Sequence, residues 1–146
     1  MSVCEKKNYN SFDEYPVRED ALTEMEYSPA ETKFSLWAPT AEEVRVLLFE
    51  SGNEGSASNT FPMEMGENGT WTISIKEDLK GKFYTFNVKV NGKWLGDTPG
   101  IMAKAVGVNG KRAAVLDLRS TDPEGWENDV RPPLKNYADI MVYEMH

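Results

Sequence analysis

The stretch FSLWAPTAEEVRVLLF, residues 34–49, constrains the fold more than any other part of the chain. Side chains alternate across a β-strand, so Phe34 and Leu36 share one face and Ser35 and Trp37 the other. Pro39 lacks the N–H that a ladder needs, which makes residues 38–43 a connection. Val44, Val46 and Leu48 then form a second apolar face, with Leu47 and Phe49 pointing the other way. β-Branched residues in this alternation favour a strand over a helix. The expectation is an opening hairpin with one face buried.

The same period of two recurs downstream. In TWTISI (70–75), Trp71, Ile73 and Ile75 oppose Thr70, Thr72 and Ser74. In KFYTFNVKV (82–90), Tyr84, Phe86, Val88 and Val90 oppose Phe83, Thr85, Asn87 and Lys89. Asn91-Gly92 follows at once and reads as a type I′ turn, because both of its central positions need positive φ. Residues 93–95 then return antiparallel, a second Asn-Gly at 109–110 marks another turn, and 113–118 reads as a last strand. Residues 62–65 suit a short edge strand, and the Gly-, Ser- and Asn-rich stretch 50–60 a flexible loop. Short strands, close turns and no helical period define an all-β, immunoglobulin-like antiparallel β-sandwich. The lone cysteine, Cys4, excludes an internal disulfide and reads as a free thiol.

Charge is unevenly placed. Of the net −8, residues 1–32 carry more than half, with eight acids against Lys6, Lys7 and Arg18. Aromatic residues Tyr9, Phe12, Tyr15 and Tyr27 punctuate that segment, so residues 1–30 form an irregular acidic arm, either mobile or strapped to the body by its rings. A phosphate-backbone partner demands clustered Lys and Arg, which excludes nucleic acid. No apolar run approaches a membrane span, and no apolar leader follows Met1. Cytoplasmic placement is the expectation, with a periplasmic or extracellular site as the alternative if a leader was removed. Residues 119–138 are rich in Pro and polar side chains, stiffened by Pro132-Pro133, and Trp126 among them needs a surface to pack on. DIMVY, 139–143, is apolar enough for a strand buried on both faces.

The string F-x-L-W-A-P-T-A-x-x-V at 34–44 resembles the N-terminal immunoglobulin-like module of starch- and glycogen-acting enzymes of the α-amylase superfamily, the family-48 carbohydrate-binding module. AKAVGVNGKRAAVLDLRSTDPEGWENDVRPPL, at 103–134, resembles the same stretch of type I pullulanases, and DIMVYEMH, at 139–146, their first catalytic-barrel strand. The resemblance implies an arm at 1–30, a sandwich module at 31–120, a linker at 121–138 and the start of a barrel strand at 139–146. It implies a non-catalytic module of an α-1,6-glucan debranching hydrolase, packed on its own catalytic barrel. A stand-alone glycogen- or starch-binding adaptor, or the equivalent module of an isoamylase or branching enzyme, is the alternative.

No catalytic residues are expected. Glycoside hydrolysis needs two carboxyl groups set across a sugar, and none of the 24 acids is specifically paired. His146 is the lone histidine, which rules out a triad and a histidine-based metal cluster. Glu127-Asn128-Asp129 lacks the twelve-position calcium pattern, and neither metal nor cofactor is expected. Sugar contact is expected at Trp94, because V-N-G-K-W at 90–94 resembles the V-D-G-x-W of glycogen-binding modules, whose Trp stacks on glucose. Asn87 stands near the position of those modules' lysine, and Lys93 adjoins the ring. The loop 50–60 lacks the second aromatic of such platforms, so α-glucan binding is expected to be weak or absent, and a structural or interdomain role for Trp94 stays open. Trp37, Leu47 and Phe49 are expected to form an outward interdomain patch, covered by the barrel, by the linker through Trp126, or by the arm through Phe12 or Tyr15. The strand at 139–146 also offers an edge for self-association.

Overall fold

The computed structural model describes residues 9–145, so Cys4 and His146 lie outside the described residues. In chain order the strands are β1 (Met25–Tyr27), β2 (Thr32–Trp37), β3 (Glu43–Phe49), β4 (Asn59–Pro62) and β5 (Glu64–Met65). They continue with β6 (Thr70–Ile75), β7 (Phe83–Val90), β8 (Lys93–Trp94) and β9 (Ala113–Ala114). One antiparallel sheet has the order β1-β2-β6-β5, and the second β4-β3-β7-β8, with β9 also pairing to β7. The alternation read from sequence holds: Phe34, Val44, Val46, Leu48, Trp71, Ile75, Tyr84 and Phe86 fill the space between the sheets. At the centre Phe34, Tyr84 and Phe86 meet edge to face, with ring centroids 5.0–6.4 Å apart. Each such pair adds about 0.5–1.5 kcal/mol beyond its buried area.

The opening hairpin does not form. β2 pairs with β6 (Leu36 opposite Trp71) and β3 with β7 (Val46 opposite Phe86), so residues 38–42 cross between the sheets. Both strands of a hairpin would lie in one layer, whereas this crossing lets Phe34 and Val46 face each other across the core. The crossing is tied down locally. Ala38 N–H donates to the Gly69 carbonyl at 2.9 Å, and Trp71 Nε1–H donates to the Ala38 carbonyl at 3.0 Å. Trp37 Nε1–H donates to the Asn68 carbonyl, also at 3.0 Å. Gly69 has φ +70° and lies so close to Pro39 that a Cβ would stand 2.6 Å from the ring. Only glycine fits there.

The Asn91-Gly92 turn has φ of 52° and 74°, as a type I′ hairpin requires. Between β4 and β5 the chain changes sheet at buried Met63, whose N–H donates to Val44 O at 2.8 Å.

Four further expectations are corrected. β1 falls inside the segment read as an arm, so the sandwich starts before residue 31; three residues are too few to show a period. The last strand is Ala113–Ala114, continued by Val115 N–H to Lys82 O at 2.9 Å and Gly81 N–H to Val115 O at 3.0 Å, before a 3-10 turn begins at Leu118. Residues 139–145 form no strand and are exposed, with Val142 at 85% and Tyr143 at 89%. An apolar sequence becomes a strand only beside a partner ladder, and none adjoins it among the described residues. Trp126 is likewise 57% exposed rather than packed on the body.

Candidate functional site

β3, β7 and β8 lie side by side, and their outward residues build the surface around Trp94. Arg45 is opposite Asn87, and Lys89 is opposite Trp94. The Arg45 guanidinium lies 4.0 Å from the Trp94 ring centroid, and Lys89 Nζ lies 5.8 Å away. Both cations are oriented by neighbours: Arg45 Nε donates to Asn87 Oδ1 at 2.9 Å, and Lys89 Nζ pairs with Glu43 Oε1 at 2.6 Å. One face of the indole is therefore already stacked.

Asn87 is buried at 2% exposure, and both ends of its amide are engaged. Its Nδ2 donates to the Leu95 carbonyl at 2.6 Å, which closes the β7–β8 hairpin, while its Oδ1 holds Arg45. It braces the ring and does not present a polar group to a ligand. Lys93 is exposed and, as the strand neighbour of Trp94, points to the opposite face. Of the three expected sugar contacts, the structure joins Trp94 with Asn87 and separates Lys93 from them.

The expected patch of Trp37, Leu47 and Phe49 is also divided, because β2 and β3 belong to different sheets. Trp37 faces outward on the first sheet, where Tyr15 of the arm approaches to 6.3 Å between ring centroids. Leu47 is half-buried on the second sheet, and Phe49 is buried beneath the Arg112 guanidinium, 3.7 Å from its ring centroid. Arg112 also donates to the carbonyls of Ser51 (2.6 Å), Glu54 (2.6 Å) and Gly55 (2.7 Å). The loop expected to be flexible is thus pinned by one arginine some sixty positions away, a partnership invisible in local sequence.

Sequence reasoning also missed Glu24. Its carboxylate, buried at 1% exposure, accepts N–H bonds from Ile101 (3.3 Å) and Met102 (2.9 Å). Burial raises its pKa above the ordinary value of 4.5, and the bonds from Met102 and Ile101 offset part of that rise. The nearby Tyr84 phenol is also raised, first by its own burial and then by the Glu24 charge. In the sequence Glu24 is one acid in a run of acids; a buried carboxylate reads no differently there from a solvated one.

An antiparallel sandwich with a tryptophan beside a type I′ turn on one outer face has the build of an immunoglobulin-like accessory module. The family model for carbohydrate-binding module 48 (isoamylase N-terminal domain) matches residues 22–105, and the chain belongs to that family. Among its relatives, the pullulanase of Bacillus subtilis is 32% identical over 120 residues, covering 82% of this chain and 16% of that enzyme. The 1,4-alpha-glucan branching enzyme of Geobacillus stearothermophilus is 32% identical over 85 residues, covering 58% of this chain and 12% of its own length. A crystal structure of the pullulanase of Paenibacillus barengoltzii in complex with maltohexaose and alpha-cyclodextrin superposes with a TM-score of 0.83 at 46% identity. It covers all of this chain, which spans 22% of that protein.

Proposed function

We propose that the chain is the non-catalytic module of a pullulanase-type enzyme that hydrolyses α-1,6 links of branched α-glucans, and that it serves there chiefly as a packing body for the catalytic domain. The observation that carries this reading is the state of the Trp94 surface: Arg45 stacks on the ring at 4.0 Å and the Asn87 amide is spent inside the hairpin. A single partly stacked ring supports a contact of about 0.5–2 kcal/mol. After the cost of immobilising a flexible glucan, that gives roughly millimolar affinity at best. By contrast Trp126, Val142 and Tyr143 expose apolar surface that a neighbouring domain would cover.

The extent of similarity favours a pullulanase over a branching enzyme as the parent. The Bacillus subtilis pullulanase matches 82% of the chain, against 58% for the branching enzyme.

A chimera tests the proposal. This chain replaces the matching segment of the Bacillus subtilis pullulanase, and thermal stability and pullulan hydrolysis are compared with a version lacking the segment. The chimera is expected to melt several degrees higher and to hydrolyse pullulan. Equal instability of chimera and deletion would overturn the packing role, and paired Val142→Asp and Tyr143→Asp changes should erase the chimera's advantage.

A further inference from the structure

Resting on the reading of the chain as part of an α-glucan-acting enzyme, we propose that the trough between the N-terminal arm and Trp37 binds a segment of α-glucan. It lies on the opposite sheet from Trp94. Three stretches distant in sequence form it: the arm at 12–22, the end of β2, and the loop at 101–102. Their apolar side chains enclose about 580 Å³, within the range of small-ligand clefts.

The chemistry of the walls suits a sugar chain. A pyranose presents apolar C–H faces and an equator of hydroxyls, so it needs aromatic or aliphatic walls with planar hydrogen-bonding groups beside them. Trp37 and Tyr15 supply two rings inclined at 59°, and Leu22 and Met102 supply aliphatic wall. At the rim, Arg18 and Asp20 form a two-pronged pair, Nε to Oδ1 at 2.8 Å and Nη2 to Oδ2 at 2.7 Å. Arg18 Nη1 also donates to Thr70 Oγ1 at 3.3 Å, which fixes the plane of the guanidinium against β6. Three of the five guanidinium N–H donors are engaged in these bonds, leaving two for hydroxyls, and the carboxylate keeps lone pairs to accept from them. Donor and acceptor side by side match neighbouring hydroxyls of one sugar.

The trough also has length. Arg18 and Asp20 line both the apolar groove and a polar cleft of about 350 Å³ that runs on past Asn68, Thr70 and Thr72. A ligand of several units can cross from one to the other over the ion pair. The far wall is built in advance, because the Glu24 carboxylate holds the N–H groups of Ile101 and Met102, and Gly100 (φ +89°) leaves no room for a side chain against Glu24. A wall already in place lowers the ordering cost of binding. The acidic surroundings of the arm disfavour an anionic ligand, and a neutral glucan carries no such penalty.

The test is a calorimetric titration of the full chain with maltohexaose. Trp37→Ala is expected to weaken binding tenfold or more, Asp20→Asn at least threefold, and Trp94→Ala less than twofold. Asp20 is on the exposed rim, so Asp20→Asn keeps the fold and decides the matter if Trp37→Ala detaches the arm. Loss of binding with Trp94→Ala alone would overturn the proposal. So would the absence of any maltohexaose response, as expected if the trough is filled by the catalytic domain; the chimera result above stands or falls separately.

Discussion

Trp94 and Trp37 each sit on an outer face of the sandwich, on opposite sheets, and each lies beside charged residues. At Trp94 the charge is stacked on the ring: Arg45 covers one face at 4.0 Å, held there by a buried amide. At Trp37 the nearest charge pair, Arg18 with Asp20, is satisfied edge to edge at the rim of an apolar groove. The strand pairing causes the difference. β3 places Arg45 within reach of β8 across β7, so its guanidinium lies over the Trp94 ring, whereas Arg18 reaches β6 from the arm and is held by Thr70, opposite Trp37, and by Asp20. Whether a surface aromatic is available is therefore set by residues two strands away, not by its own motif.

Both rings stand on one intact sandwich, and the largest expected effect attacks that support. Trp71→Ala removes a core ring on β6 and its bond to the Ala38 carbonyl, and it should cost about 3–5 kcal/mol in urea denaturation. A cost below about 1 kcal/mol would contradict its place in the core.

Asn87→Ala should cost about 2 kcal/mol, because it removes a buried amide that bonds both the Leu95 carbonyl and Arg45. Trp94 fluorescence should shift to the red as the ring is wetted, while the Trp37 side is unaffected. A variant with unchanged stability and emission would show that the amide does not hold the ring.

Glu24→Gln probes the wall beside Trp37. Glutamine can accept only one of the two N–H bonds, so a loss of about 1–2 kcal/mol is expected near neutrality. The pH dependence carries a definite sign. The folded-state pKa is raised above 4.5, so the native chain binds that proton more tightly than the unfolded one. The carboxyl's stabilisation is full below pH 4.5 and is lost as pH rises through its native value. Denaturation midpoints across that window should decline for the parent and be flatter for the variant. A steeper decline in Glu24→Gln would reverse the assigned direction.

The smallest effect is at Arg45→Ala, about 0.5–1 kcal/mol for the stacking contact. Acrylamide should then quench Trp94 more readily. Unchanged quenching would mean that the guanidinium does not shield the ring.

Alternation in residues 34–49, 70–75 and 82–90, together with Asn91-Gly92, determined the strands, the inward residues and the class of fold. These features are local, with a period of two and a required sign of φ, and neighbouring residues suffice to express them. The motifs at 34–44 and 90–94 also indicated the family whose model matches residues 22–105. Partnership was decided only in three dimensions. Residues 34–49 read as a hairpin, yet their alternation is equally compatible with the crossing that forms, since either buries the same side chains; the Gly69–Pro39 contact accompanies the crossing. Trp94 read as open because Arg45 is 49 positions away in sequence, and Phe49 read as exposed because its cover, Arg112, is further still. Glu24 was one acid among many until β1 carried it beneath the 100–102 loop. Burial, stacking and pairing are properties of what the fold brings alongside a residue, and a side chain's own neighbours in the sequence do not contain them.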